Sequence, residues 1–200
     1  MAKLLKLKVN RQRPVHSYAE LWHASYCVLD AGQKNPVGSS WQFLSSILLT
    51  AFTFEAYLNH IGPHTLEEWA AKERFPLWSK FKHLRKALGV AFESGKGARP
   101  LKTIDEMFTF RDSLAHGRSL ELASDKEQSL EDFEKEHSDL IGSQLRTDWE
   151  ELIRTSVFAE RCREDVEVVI RALDAGRPEN GDILFNSGIG SHSATFAGEA

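Results

Sequence analysis

The sequence has few cysteines, few prolines and no long uninterrupted apolar run. Its two cysteines, Cys27 and Cys162, lie far apart, which excludes a CxxC metal motif and a disulfide framework. We expect both thiols to be buried or half-buried. The most apolar stretch, residues 41–61, is interrupted by polar side chains, as in a buried helix and unlike a membrane span. The first residues lack the apolar core of a signal peptide. We therefore expect a cytoplasmic protein that does not associate with membranes.

A strong excess of one charge is also absent. The 25 Lys and Arg residues against 29 Asp and Glu residues give a net charge of −4. This balance argues against a protein that binds nucleic acid through its overall charge, although a local basic cleft remains compatible with it. The hydrophobic share of 42% is that of a globular protein, and 200 residues fit one domain. Five Trp and twelve Phe residues can supply both a core and a dimer interface.

Helical patterns cover most of the chain. Possible capping boxes begin at Ser17, Thr65 and Thr147, and Gly62-Pro63 is a stop signal. The patterns predict helices over residues 17–31, 40–60, 77–92, 101–116 and 147–175, with a short one after Thr65. The sequence therefore predicts an all-α bundle of five to six helices.

Composition divides the chain into four segments. A basic N-terminal arm covers residues 1–14, and one helical domain covers residues 15–176. Within that domain, residues 118–146 are acidic and irregular, which is typical of a solvated insertion. Residues 177–200 are rich in Gly, Ser and Asn and are predicted to form a loose, flexible tail.

The helix predicted over residues 40–60 is apolar on nearly every side. Such a helix is buried by neighbours on several sides, so it is central to the bundle or lies at an oligomer interface. Glu55 is conspicuous on it, because a buried carboxylate needs a partner.

The stretch from Phe108 to Gly117 contains the residues best suited to chemistry. Arg111 follows the apolar stripe of its helix at a spacing of three and four residues, so its side chain points towards that stripe. His116 lies five residues later, about 140° around the helix axis. A relaxed final turn would be needed to bring both side chains to one cleft. Asp112 precedes His116 by four residues, a spacing suited to orienting the imidazole.

These residues resemble the motif of the HEPN family, in which an arginine is followed after four to six residues by a histidine. The polar Asp112 after Arg111 fits the motif, and the segment Phe54–Leu58 is similar to a core helix of those domains. The resemblance spans roughly residues 15–175. It implies a HEPN-like helical bundle that forms a homodimer, with both motifs facing one cleft.

The resemblance also implies an activity, that of a metal-independent endoribonuclease without cofactors. His116 would act as general acid and base, since histidine side chains exchange protons near neutral pH. Arg111 would bind the scissile phosphate, Asp112 would orient His116, and Ser113 would contact the phosphate. RNA is then the expected substrate. By family analogy alone, the biological context is a toxin or phage-defence system with an antitoxin or other regulatory partner.

Two structural alternatives stay open for this site. Arg111 could pair with Glu55 and tie two helices together, and His116 could serve only as a favourable residue at a helix C-terminus. The chain would then be a non-catalytic, dimeric interaction or regulatory module. Glu55 could equally orient Arg111 for substrate. A small-ligand-binding bundle is a third class, for which the sequence contains no motif.

A second group of candidates lies on the helix predicted over residues 77–92. Lys80 and Arg85 belong to a basic face that is either a solvated surface or a track for RNA phosphates. His60 and His64 stand four residues apart, but Gly62-Pro63 should break the helix between them. We therefore predict no metal site.

Overall fold

The computed structural model describes residues 7–92, 95–138, 144–178, 183–188 and 190–196. In these residues the chain is mostly helical with one small sheet, which confirms the all-α prediction. Within these ranges the chain contains eight α-helices, more than the five to six that the sequence predicted. Its elements are β1 (Leu7–Gln12), α1 (Ser17–Lys34), α2 (Ser40–Thr65), α3 (Trp69–Lys72), α4 (Leu77–Ala87), α5 (Leu101–Ala115), α6 (Leu130–Ser138), α7 (Asp148–Leu152), α8 (Val157–Ala175) and β2 (Ser191–Phe196). None of the described helices combines the length and the apolar character needed to cross a bilayer.

The chain divides into two compact units. The first comprises residues 1–24, 52–91 and 170–200, and the second comprises residues 25–51 and 92–169. The sequence predicted one helical domain over residues 15–176, and that assignment stays a prediction. Each unit has its own group of fully buried apolar side chains.

The core of the first unit forms around the C-terminal part of α2. Phe54, Tyr57, Leu58 and Ile61 are fully buried there, and the Phe54 ring lies 5.9 Å from the Phe81 ring of α4. Burial of this many large apolar side chains is the main stabilising term of such a unit.

Helix α2 continues to Thr65, so the predicted stop at Gly62-Pro63 is wrong. The indole of Trp69 packs directly on Gly62, where a Cβ atom would come within 2.1 Å of the ring. Glycine is therefore needed for close packing and does not end the helix. Pro63 lies near the helix end and removes only one backbone hydrogen bond. Thr65 correspondingly donates its hydroxyl to the Ile61 carbonyl at 2.8 Å and does not cap a new helix.

The two ends of the chain pair as an antiparallel sheet. Strand β1 pairs with β2 in a register from Leu7 with Phe196 to Gln12 with Ser191. The arm and the tail, which were predicted to be extended or loose, thus form the only sheet among the described residues. In the same tail, Phe185 stacks on Trp22 of α1, with ring centroids 4.8 Å apart. Residues 1–6, 179–182, 189 and 197–200 of these two segments lie outside the described residues.

The core of the second unit lies between α5 and the N-terminal part of α8. Ile104 and Met107 of α5 are fully buried, and the Phe110 ring meets the Phe158 ring edge to face at 6.1 Å. Arg99, just before α5, donates from Nε to Asp165 at 2.8 Å and from Nη2 to Glu164 at 3.0 Å. These contacts fix α5 firmly along most of its length.

The predicted helix over residues 147–175 is divided into α7 and α8. The capping box at its start is confirmed, because the Thr147 side chain accepts from the Glu150 amide and the Glu150 carboxylate accepts from the Thr147 amide. The segment before it is solvated, since every described residue from 115 to 138 is exposed and α6 buries no side chain.

The two cysteines differ in accessibility, so the expectation that both are buried is wrong for Cys27, which is exposed. Cys162 is fully buried, and that burial raises the pKa of its thiol. The thiolate is the reactive form. We therefore expect Ellman's reagent to modify one thiol per folded chain and two after unfolding in urea. Cys27→Ser should abolish the reaction of the folded protein, and two fast-reacting thiols in the native chain would contradict this assignment.

Candidate functional site

Arg111 and His116 lie at the exposed end of a helix that is otherwise anchored in the core. The body of α5 is held by Ile104, Met107 and Phe108, whereas its last turn presents Asp112 and Ser113 to solvent. A side chain on such an end is positioned by a rigid element and still reaches water. This combination is what a binding or catalytic group requires.

The Arg111 guanidinium contacts the Asp112 carboxylate and the Phe108 ring. Its Nε and Nη2 atoms both donate to Oδ1 of Asp112, at 2.9 and 2.7 Å. Its central carbon lies 4.7 Å from the centroid of the Phe108 ring, a distance typical of a cation–π contact. The side chain keeps 25% of its surface exposed. Arg111 is therefore oriented and also accessible.

His116 stands just beyond the helix, as its C-terminal cap. Its backbone has left the helical conformation, with φ −115° and ψ 14°, and its amide donates to the Asp112 carbonyl. The residue is exposed, and its imidazole makes no hydrogen bond or ion pair with any other described residue. The final turn is therefore relaxed, as the sequence analysis of the motif required. The imidazole is accessible to a ligand.

Asp112 has a different partner from the predicted one. The sequence assigned its carboxylate to His116, but the carboxylate binds Arg111 and meets His116 only through the backbone. The physical reason is that the helix ends before His116. In a continuous helix, side chains four residues apart lie on the same face, but the backbone of His116 is not helical, so its imidazole does not lie beside Asp112. Asp112 therefore orients the guanidinium.

Ser113 is exposed near the end of α5. Its hydroxyl donates to the Phe110 carbonyl at 2.7 Å. It also borders a groove of about 450 Å³ that includes Asp105, Glu106 and Asp148, and Glu106 is paired with Arg161 at 2.7 Å. The predicted contact between Ser113 and substrate stays a prediction.

Lys80 does not lie on an exposed RNA track, so that prediction is wrong. The residue is 3% exposed, and its ammonium donates to Oε1 of Glu55 and Oδ1 of Asn59, both at 3.1 Å. Lys80 lies one helical turn before buried Leu84, so both occupy the inward face of α4. The partner that the sequence required for Glu55 is Lys80.

The other basic residues of α4 are still accessible to solvent, although Lys80 is not. Arg85 is half-buried, with its guanidinium 6.0 Å from the centroid of the Phe81 ring, whereas Lys82, His83 and Lys86 are exposed. Without Lys80, this face has the character of an ordinary solvated helix surface.

The histidine pair of α2 also differs from expectation, because the helix continues through it. The rings of His60 and His64 lie 6.2 Å apart in an edge-to-face arrangement. Across the described ranges of the chain, no group of three or more His, Cys, Asp or Glu side chains could hold a metal ion.

A groove of about 830 Å³ in the second unit was not predicted from the sequence. Its lining includes Arg118, Arg146 and Arg154 together with Trp41 and Trp149. Arg118 and Arg146 are the first and last residues of the segment 118–146, which was classified as acidic. The signal that could have revealed them is the set of isolated arginines there, because they interrupt an otherwise acidic composition.

In comparisons with known proteins, the chain matches no protein-family model, no curated protein and no solved structure. The function therefore has to be inferred from the side chains of this chain alone.

Proposed function

We propose that the chain is a metal-independent endoribonuclease of the HEPN type that acts as a homodimer. One observation carries the proposal. A guanidinium and an imidazole, five positions apart, are both accessible at the exposed end of a helix that is fixed in a core. A phosphate diester needs a cation to stabilise its oxygens and a group that exchanges a proton, and these are the two groups present.

In the proposed reaction, His116 removes the proton from a ribose 2′-hydroxyl. The 2′-oxygen then forms a bond to phosphorus, and the bond from phosphorus to the 5′-oxygen breaks. The products are a 2′,3′-cyclic phosphate and a 5′-hydroxyl that has gained a proton. Arg111 binds the non-bridging oxygens, whose negative charge develops during this exchange.

Asp112 acts here as a positioning residue. Through its bonds to Nε and Nη2 it holds the Arg111 guanidinium in one orientation over the Phe108 ring. A fixed cation stabilises a transition state better than a mobile one, since less reorganisation is needed during the reaction.

A homodimer would supply both groups that this reaction needs for proton transfer. One imidazole has to accept the proton of the 2′-hydroxyl, and the departing 5′-oxygen has to receive one. Two copies of His116 across one cleft supply a base and an acid together. Cleavage should therefore depend on association of two chains.

The second candidate function is a non-catalytic, dimeric interaction or regulatory module. It is favoured by the pairing of Arg111 with Asp112, because that pairing already neutralises the cation. In this case Arg111 has a structural role in its pair with Asp112, and neither Arg111 nor His116 binds a substrate.

Metal-free RNA cleavage separates the two candidates. We expect the wild-type chain to cleave a mixed-sequence single-stranded RNA in EDTA and to leave 2′,3′-cyclic phosphate and 5′-hydroxyl ends, as determined by end-group analysis. A DNA strand of the same sequence is the matched control. It should stay intact, because it lacks the attacking hydroxyl. A folded chain that leaves the RNA intact in EDTA would support the module.

A further inference from the structure

The groove of about 830 Å³ in the second unit begins beside the proposed catalytic histidine. Arg118, one of its lining residues, is two residues from His116 in the sequence. Two virtual bonds of 3.8 Å limit the distance between their Cα atoms to about 7.6 Å. A polymer bound in the groove can therefore continue to the imidazole.

The groove is basic in a chain whose net charge is −4. Three arginines line it, and Glu150 is the acidic side chain in its lining. The Glu150 carboxylate already accepts from the amide and the hydroxyl of Thr147, at 2.7 and 2.8 Å. Its charge is therefore engaged in the helix cap, which also lowers the pKa of that carboxyl.

The three arginines differ in how far they are engaged. Arg146 and Arg154 both pair with Glu151, at 3.7 and 3.1 Å. Arg118 is exposed and makes no ion pair with another described residue. Arg118 thus supplies a positive charge at the end of the groove next to His116.

An accessible indole lies in the same groove. Trp41 is 65% exposed, and its ring stacks on no other aromatic ring in the described part of the chain. A large aromatic face in water next to guanidinium groups is the combination that binds single-stranded nucleic acid, since bases stack on the ring while phosphates meet the cations.

We propose that the single-stranded RNA adjoining the scissile phosphate lies in this groove, with one base stacked on Trp41 and a backbone phosphate bound by Arg118. This inference rests on the proposed function and names its substrate-binding site. An apolar protein partner is a poorer occupant, because it would remove the guanidinium groups from water without supplying charge.

Equilibrium binding to His116→Ala chain tests the proposal, because the RNA then stays intact. The probe is a fluorescein-labelled single-stranded RNA of twelve mixed nucleotides. Adding Trp41→Ala should weaken the affinity about 5- to 150-fold, the range for loss of one stacked base. Adding Arg118→Ala should weaken it less and lower the salt slope of log Kd by about 0.7 to 1, as expected for one lost phosphate contact.

Two matched variants serve as controls. Phe133→Ala removes an aromatic ring on α6 that is 52% exposed, and Arg74→Ala removes an exposed arginine of the first unit. Neither residue lines the groove, so both should bind the probe like the parent. Circular dichroism of all variants should be unchanged, since the altered side chains are exposed.

Three outcomes would overturn the proposal. If wild-type chain cleaves RNA but Trp41→Ala and Arg118→Ala bind like the parent, the groove assignment is wrong and the nuclease stands. Absence of both cleavage and RNA binding in the wild type removes the nuclease and the groove together. If Trp41→Ala dissociates a dimer in sedimentation velocity without changing RNA affinity, the groove is a protein interface.

Discussion

His116→Ala should lower metal-free RNA cleavage by about 10²- to 10⁴-fold, the range for loss of a general acid or base. In the proposed dimer one substitution removes both imidazoles, so the loss should lie towards the upper end. His116 is exposed, and only its backbone amide takes part in the hydrogen bonding of the helix end, so the fold does not depend on the side chain. Initial rates in EDTA measure the effect.

Substitutions of Arg111 should lower the cleavage rate by an amount that depends on the replacing residue. Alanine removes the cation and should cost about 10²- to 10³-fold, as for other groups that stabilise transition-state charge. Lysine keeps the charge but loses the planar fork that donates two bonds to Asp112 and lies over Phe108. Arg111→Lys should therefore have an intermediate rate.

Matched substitutions show whether these losses are specific. His137→Ala removes an exposed histidine of α6, and Arg74→Ala removes an exposed arginine of the first unit. Both should retain the wild-type rate. Cleavage that survives His116→Ala would rule out the proposed site, even if the chain proved to be a nuclease.

The helix that carries this site was well predicted from the sequence. Its buried stripe of Ile104, Met107 and Phe108 has helical spacing, and the helix was expected over residues 101–116 against 101–115 in the structure. The local sequence pattern was sufficient for this helix because the residues that are apolar at helical spacing are also the ones that are buried. The pairing of Arg111 with Asp112 was not predictable in this way. Neighbours in sequence diverge on a helix, and only side-chain rotamers bring these two groups together.

Two features of the first unit could not be predicted from the local sequence pattern. The stop signal at Gly62-Pro63 was overridden by Trp69, whose indole occupies the space beside Gly62. The pairing of β1 with β2 joins residues from opposite ends of the sequence, from Leu7 with Phe196 to Gln12 with Ser191. Every described side chain of β1 is exposed, so no alternation of burial marks it as a strand.

The buried ion pair of the first unit should respond asymmetrically to removal of its two members. Lys80 is 3% exposed as a residue, whereas the Glu55 side chain is 33% exposed. Glu55→Ala leaves a buried ammonium with Asn59 as a remaining partner, and removal of one member of a buried pair costs about 3 to 5 kcal/mol. Lys80→Met leaves a carboxylate that water can reach, so the free energy of unfolding should fall by only about 1 to 2 kcal/mol.

Urea unfolding of the two variants and of the double variant measures this asymmetry. The double variant Glu55→Ala/Lys80→Met should be more stable than Glu55→Ala alone, because methionine removes the buried charge that alanine leaves unpaired. The pair Lys34 and Asp30 on α1 is the control, because the Lys34 side chain is 74% exposed, and Lys34→Met should stay close to wild type since water screens exposed pairs. Equal losses for Glu55→Ala and Lys80→Met would contradict the argument. They would mean that water reaches the ammonium as readily as the carboxylate, and Lys80 would then again be a candidate for contact with RNA.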